Sequence, residues 1–149
     1  MRSGTSISAA LFVTATALAI LSVPAQGAGP DFVVIVHPAN PVNTLTRSRL
    51  ERIYRRSARF WDDRVRVVPI NTSFGNSLRD SFSREILRSS PDELVSFWNR
   101  QYFQGVMPPP VLKSPAAVRA YVATTRGAVG YIPADLLDDT VKVVDILGE

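Results

Sequence analysis

The stretch 65–88 constrains the fold of this chain more than any other. Residues 65–70 (Val-Arg-Val-Val-Pro-Ile) predict a β-strand, residues 71–77 a polar loop, and the residues from Leu78 onward an amphipathic helix. A strand that leads through small polar residues into a helix directs several free backbone N–H groups, and the positive end of the helix dipole, to one point. Such a point is a ready site for an anion.

Strands and helices alternate along the rest of the chain. Further strands are predicted at 32–36, 128–132 and 141–146, which are short apolar runs rich in β-branched residues. Further helices are predicted over 47–56, from Ser90 and from Ser114, each opening at a threonine or serine cap. This alternation predicts an α/β fold with a mixed, mostly parallel sheet flanked by helices.

Apolar residues at helical spacing predict the buried face of each helix. These faces are Leu50, Ile53 and Tyr54; Leu78, Phe82, Ile86 and Leu87; Leu94, Val95, Trp98 and Tyr102; and Val118, Tyr121 and Val122. The outer face of the second helix is expected to carry Arg79, Asp80, Ser83 and Arg84. Phe60 and Trp61 are expected to pack together beneath the sheet, and Gly127 to cap the last helix.

Residues 1–28 have the layout of a secretory signal peptide. Arg2 supplies a short basic start, residues 9–21 are an apolar run, and small residues near Ala25 and Ala28 offer a cleavage point. The alternative is a membrane anchor, but a spanning helix needs about 20 apolar residues and this run is shorter. The sequence therefore predicts a periplasmic or secreted protein with one domain over 29–149 and no stable membrane insertion after cleavage.

Composition is that of a globular protein with a mild positive charge. Apolar residues make up 46% and charged residues 20% of the chain, and there is no cysteine, so its core has to hold the fold without disulfides. The formal net charge is +4, or 4 − 1 = +3 without Arg2. A basic chain can bind nucleic acid, but predicted export argues against that partner. A solvated arginine-rich surface is the simpler interpretation, and its field would attract small anions.

Several segments resemble the periplasmic substrate-binding proteins of phosphate ABC transporters, which have a type 2 periplasmic-binding-protein-like fold. Residues 33–41 look like that family's crossing strand and the loop after it, and residues 45–61 are similar to its next helix and tryptophan turn. Residues 75–82 (Gly-Asn-Ser-Leu-Arg-Asp-Ser-Phe) stand where the family has its phosphate loop and helix. Residues 125–131 match its late glycine-rich strand, so the resemblance spans nearly all of 29–149.

The resemblance implies phosphate binding in transport, with two differences. Transport receptors of this kind have two lobes that close on a ligand, whereas residues 29–149 supply one domain. The family's phosphate loop has an arginine at the strand end and a Ser-Gly-Thr turn, whereas this strand ends in Asn71 and the turn reads Phe-Gly-Asn-Ser at 74–77. Membrane components of an ABC transporter or a sensor protein are the partners that the resemblance implies.

The candidate anion site is built from the loop and the first helical turn. Side chains of Ser73, Asn76 and Ser77 could donate hydrogen bonds, Gly75 would allow close approach of the backbone, and Arg79 supplies the nearest positive charge. The alternative is that Asn76 or Ser77 only caps the helix and that Arg79 is solvated. Thr44 and Thr125 are further candidates for the same cleft.

An enzyme is the class that the residues support least. His37 is the only histidine, and it has no visibly arranged serine or cysteine nucleophile. No phosphate-binding Walker loop, zinc spacing or calcium loop occurs, and the acid pairs at 62–63 and 138–139 fit turns better than a metal site. The sequence thus predicts no catalytic residue, metal or cofactor. It leaves two functions open: an exported oxyanion-binding module, or an exported scaffold whose exposed Phe74 and 107–110 segment bind a partner.

Overall fold

The computed structural model describes residues 31–148, so the predicted signal peptide at 1–28 lies outside the described residues. The strands are β1 (Val33–Val36), β2 (Thr44–Thr46), β3 (Val68–Pro69), β4 (Asn71–Thr72), β5 (Val111–Leu112), β6 (Ala128–Ile132) and β7 (Lys142–Leu147). The helices are α1 (Arg47–Tyr54), α2 (Ser77–Glu85), α3 (Pro91–Tyr102) and α4 (Pro115–Thr124), with a short 3₁₀ turn at Ala134–Leu136. No helix within 31–148 is long and apolar enough to cross a membrane.

The strands form a mixed sheet, which confirms the α/β class. Five strands lie in the order β2-β7-β1-β6-β3, and β4 pairs with β5 in a separate two-stranded sheet. The pairings β2–β7, β3–β6 and β4–β5 are parallel, whereas β1 is antiparallel to both of its neighbours. The predicted continuous strand at 65–70 is shorter, because only Val68–Pro69 pairs with β6 before the chain passes to β5 at Asn71. Pro69 is tolerated because β3 is an edge strand.

The sheet buries apolar side chains on both faces, and the alternation along β1 decides which core each joins. Val34 and Val36 belong to the core beneath α1 and α2, whereas Ile35 belongs to the core beneath α4. Aromatic rings fill the first core: Phe82 of α2 stacks on Tyr131 of β6 with ring centroids 3.9 Å apart.

The inner faces predicted for α1 and α2 are confirmed, but the outer face predicted for α2 is confirmed only for Arg84, which is exposed, and for the half-buried Asp80. Leu50, Ile53 and Tyr54 of α1 are buried, and so are the predicted α2 residues Leu78, Phe82, Ile86 and Leu87. Arg79 and Ser83, which were expected on the solvent face, are 8% and 4% exposed. For Arg79 the expectation was wrong because Thr72 of β4 and Phe74 of the loop before α2 contact its guanidinium, which periodicity within α2 cannot show.

The inner face predicted for α3 is correct for two of its four residues and wrong for the other two. The predicted start is confirmed, since Ser90 and Glu93 form a reciprocal capping box with proline at the first helical position. Leu94 is buried, but Val95 is 49% and Tyr102 61% exposed, and Trp98 is half-buried. Tyr121 of α4 is also exposed, while its neighbours Val118 and Val122 are buried. An amphipathic pattern identifies an apolar face but not an element that covers it.

Two local expectations are corrected around the turn that follows α1. Trp61 is buried and donates from Nε1 to the Gly127 carbonyl at 3.0 Å, whereas Phe60 is 55% exposed rather than packed beneath the sheet. Gly127 does not cap α4, which ends at Thr124 with Thr125 in extended conformation. Gly127 is needed for close approach instead, because a Cβ there would lie 2.0 Å from the Arg66 carbonyl oxygen.

Candidate functional site

The polar loop lies beyond the end of β3, as the strand–loop–helix pattern predicts. Gly75 has a φ of 73°, in the left-handed region, and an added Cβ would have no atom within 4 Å. The loop is tied to β5, because the Ser73 hydroxyl donates to the carbonyls of Leu112 and Lys113 at 3.5 and 3.4 Å. The Ser73 side chain is therefore engaged in holding the loop.

The start of α2 is partly capped by the protein itself. Asn76 is the N-cap, and its Oδ1 accepts from the Leu78 amide at 2.9 Å. The Asp80 amide donates to the Asn76 carbonyl, which begins the helical ladder. Within 31–148 the amides of Ser77 and Arg79 have no acceptor comparable to those of the Leu78 and Asp80 amides. The Ser77 side chain is exposed. The Asn76 cap thus supports the capping interpretation, while the remaining amides of Ser77 and Arg79 support the anion interpretation.

Arg79 lies under the loop and is neither solvated nor free to swing outward. Its Nη1 donates to the Thr72 carbonyl at 2.8 Å, and its guanidinium lies 3.6 Å from the centroid of the Phe74 ring. Burial lowers the pKa of Arg79, while Tyr131 and Asp80 raise it. The side chain remains cationic because the pKa of arginine is far above neutral. The hydrogen bond to Thr72 uses one of the five guanidinium N–H donors and leaves others for a ligand.

Buried polar groups surround Arg79 at the ends of β3 and β6. The Tyr131 hydroxyl donates to Asn71 Oδ1 at 3.1 Å. Burial raises the pKa of Tyr131, and contact with Thr72 partly opposes that rise. Within the described chain the Thr72 hydroxyl is buried and makes no hydrogen bond of normal geometry. Tyr131 lies close enough to the hydroxyl and amide of Thr72 for both to lower its pKa, so the Thr72 hydroxyl faces this tyrosine.

An apolar groove of about 230 Å³ opens beside Arg79. Phe74, Val95, Trp98 and Pro109 are among its lining residues. Its lining is mostly hydrocarbon, and Arg79 is the charged residue among the lining residues. The site is therefore a small polar cluster next to an open apolar channel, not an enclosed polar pocket.

The structure does not bring Thr44 and Thr125 to this loop. Thr44 begins β2, which is the opposite edge strand of the sheet from β3. Thr125 precedes β6, whereas the loop follows β3, and the two strands run parallel. Parallel strands have their starts at one edge and their ends at the other, so Thr125 and the loop lie at opposite ends of the sheet. Ser73, Gly75, Asn76, Ser77 and Arg79 remain together.

Sequence reasoning missed Thr72, Tyr131 and the stacking of Phe74 on Arg79. A threonine at a strand end directly before the loop was a usable signal for Thr72. Tyr131 carried no local signal, because it reaches the site only through the pairing of β6 with β3. Among the described residues no group of three or more histidine or acidic side chains is arranged to hold a metal ion.

Comparison with known proteins relates this fold to solved structures. Neither a protein-family model nor a curated protein sequence matches the chain. An ABC-type phosphate transport receptor from Vibrio cholerae is 22% identical with a TM-score of 0.62, over 78% of this chain and 46% of that chain. A protein from Clostridium perfringens, described as a phosphate ABC transporter substrate-binding protein with bound phosphate, is 23% identical with a TM-score of 0.64, over 78% and 44%.

A third structure, PstS from Borrelia burgdorferi, is 14% identical with a TM-score of 0.61, over 78% of this chain and 47% of that chain. This chain thus spans less than half the length of each of these structures. At such low identity the similarity concerns the fold. The described chain has the fold of one lobe of a phosphate ABC transporter substrate-binding protein.

Proposed function

We propose that this chain is an exported, non-catalytic binding module related to phosphate ABC transport, which binds phosphate or a similar oxyanion at the start of α2. The observation that carries the proposal is the arrangement of Arg79 and the first amides of α2 around one loop. The solved structures with this fold, one of them with bound phosphate, make an oxyanion the ligand class to test first.

The donors at this point suit an oxyanion. The Ser77 hydroxyl and the amides of Ser77 and Arg79 lie at the positive end of the α2 dipole. The guanidinium of Arg79 is held by Thr72 and Phe74, so little side-chain entropy is lost when it binds. Thr72 connects the two buried groups of the site, because its carbonyl accepts from Arg79 and its hydroxyl faces Tyr131.

Affinity is expected to be modest. Asn76 already occupies one helix amide, and the site is open on the side of the groove. An anion that stays hydrated interacts with Arg79 through a high effective dielectric constant and is screened by salt. A transporter component or a sensor protein that covers the opening would exclude this water and strengthen binding.

Calorimetry with phosphate and with sulfate tests the proposal on the purified protein. Heat and a thermal shift at millimolar anion support it, and their absence rejects it. Ser77→Asp introduces a negative charge at the first position of α2, where it stabilises the helix but repels an anion. We expect anion affinity to fall about tenfold with no loss of stability.

The matched control is Ser48→Asp. Ser48 is half-buried in the first turn of α1, which follows β2 at the opposite edge of the sheet from β3, so the added charge is the same but lies away from the loop. Equal loss of affinity in both variants would show that only net charge matters and would reject a site at α2.

A second function is favoured by one observation, the exposed apolar residues of the α3 side. Phe74 is 68%, Tyr102 61% and Met107 58% exposed, and they lie on or near the groove. Such a surface is typical of an interface. The alternative is an exported scaffold that has kept the lobe and lost its ligand. Light scattering separates the two functions, because a stable oligomer without anion affinity favours the scaffold.

A further inference from the structure

A concentration of arginine lies outside the candidate anion site. Residues 47–66 contain eight arginines against three acidic residues. The ion pairs in this region engage Arg49 with Asp62, Arg55 with Glu51 and Arg126 with Asp63. The three acids are therefore already paired, and within 31–148 the arginines in the turn after α1 form no ion pair with them.

Four of these arginines lie in the turn and hairpin that carry an exposed ring. The arginine patch consists of Arg56, Arg59, Arg64 and Arg66, with the ring of Phe60 between Arg59 and Arg64 in sequence. Phe60 pairs with Arg66 in an antiparallel bridge, which places the two side chains on the same side of the hairpin. Arg56 is close enough to Arg66 and Arg59 that their charges, after burial, help to lower its pKa. Phe60 itself is 55% exposed.

The loop that carries the patch is rigid. The Trp61 amide donates to the Val65 carbonyl at 2.8 Å, and its buried ring donates to Gly127. Arg56 and Arg64 have φ values of 65° and 64°, in the left-handed region that long side chains rarely adopt. Arg56 takes this conformation directly after the end of α1 and Arg64 in the turn of the hairpin, so both residues are fixed by local backbone hydrogen bonds.

We propose that the arginine patch is a docking surface for anionic phospholipid headgroups, with Phe60 inserting between them. Clustered arginines attract an anionic membrane surface, and an aromatic ring among them enters the boundary of the acyl chains. A stable protein interface has an apolar centre depleted of charge, whereas this patch has one ring among unpaired charges. The patch precedes β3 and the α2 loop follows it, so the two sites lie at opposite ends of the sheet.

Vesicle co-sedimentation of the full chain tests this surface. The probes are phosphatidylcholine vesicles with and without about a third phosphatidylglycerol. We expect binding to the anionic vesicles, a loss on raising the salt concentration, and a reduction of about 30-fold in Arg59→Gln/Arg66→Gln. Phe60→Ser is expected to weaken the vesicle binding that remains at high salt, because the hydrophobic contribution of the ring is not screened.

The controls remove the same groups elsewhere. Arg84→Gln/Arg100→Gln deletes two exposed arginines outside the patch, and Phe103→Ser removes a ring that is 88% exposed. Thermal unfolding of every variant checks that the fold is intact. Retained binding in the controls supports the patch. Equal loss in both arginine pairs would show a net-charge effect and overturn the proposal.

Other outcomes also overturn it. Binding that is equal on neutral vesicles and unchanged in the patch variants would assign attachment to another part of the chain. Displacement by inorganic phosphate, beyond that by chloride at equal ionic strength, would assign the patch to free phosphate. Tighter binding to duplex DNA than to vesicles, lost in Arg59→Gln/Arg66→Gln, would assign it to nucleic acid.

Discussion

Helices α2 and α3 carry the same kind of amphipathic pattern but bury it to different extents. In α2 the ring of Phe82 is fully buried and stacks on Tyr131 of the sheet. In α3 only Leu94 is buried, and the apolar face continues into solvent through Val95 and Tyr102. Apolar spacing along a helix therefore identifies a face that can be buried. Whether that face is buried depends on a neighbouring element that covers it. It also explains why the groove beside Arg79 is open.

The largest expected effect separates the two helices directly. Phe82→Ala removes a fully buried ring from α2, and we expect it to lower the free energy of unfolding by about 3–5 kcal/mol. Tyr102→Ala, its counterpart in α3, is expected to change it by less than about 0.5 kcal/mol, because the ring is 61% exposed. Urea denaturation measures both. A loss of similar size in Tyr102→Ala would mean that α3 is covered in solution, for instance by a second copy.

A substitution beneath α4, on the other face of the sheet, is expected to lower the free energy of unfolding by less than Phe82→Ala does. A Cβ at Gly130 of β6 would lie 2.5 Å from Cγ1 of Val118 in α4. Val118 is branched and fully buried, so it cannot move aside cheaply. We expect Gly130→Ala to cost about 1–3 kcal/mol in thermal or urea unfolding. Gly148→Ala, with no atom within 4 Å of an added Cβ, is the matched control. A neutral Gly130→Ala would show that α4 packs on the sheet more loosely than the structure has it.

The smallest expected effect concerns how α3 begins. The Ser90 backbone amide donates to the Glu93 carboxylate, and this hydrogen bond lowers the pKa of Glu93. A carboxyl whose pKa is lower in the folded state stabilises the protein above its unfolded pKa, about 4.3, and loses that contribution as the pH falls through the folded value. Glu93→Gln should therefore flatten the acid side of the stability profile slightly. Asp92→Asn, in the same turn but outside the capping box, is the control. An unchanged acid profile in Glu93→Gln would show that the box does not persist in solution.

The fold was predictable to the extent that it depends on local chemistry. Caps at Thr46, Ser90 and Ser114 start helices as predicted, because a side-chain oxygen that accepts a helix amide is a property of neighbouring residues. The position of the α2 loop was predictable for the same reason. Arg79 was misplaced, because its partners Thr72 and Phe74 act across the loop and not along the helix.

The sequence predicted the loop and helix start that form the candidate site, but not which residues from other strands lie beside them. Thr44 and Thr125 were expected in the cleft, but strand order decides which strand ends meet, and β1 enters the sheet antiparallel to β6 and β7. Tyr131 reaches Asn71 across 60 residues of sequence, a contact that no local pattern encodes.

By itself the sequence determined the α/β class, the helix starts and the loop that opens α2, because each depends on the spacing and capping chemistry of adjacent residues. Only the tertiary structure decided which apolar faces are covered, which arginines lie buried, and which polar groups meet at Arg79. Those outcomes depend on contacts between segments distant in sequence, whose energies follow from the strand order and the packing of the whole domain.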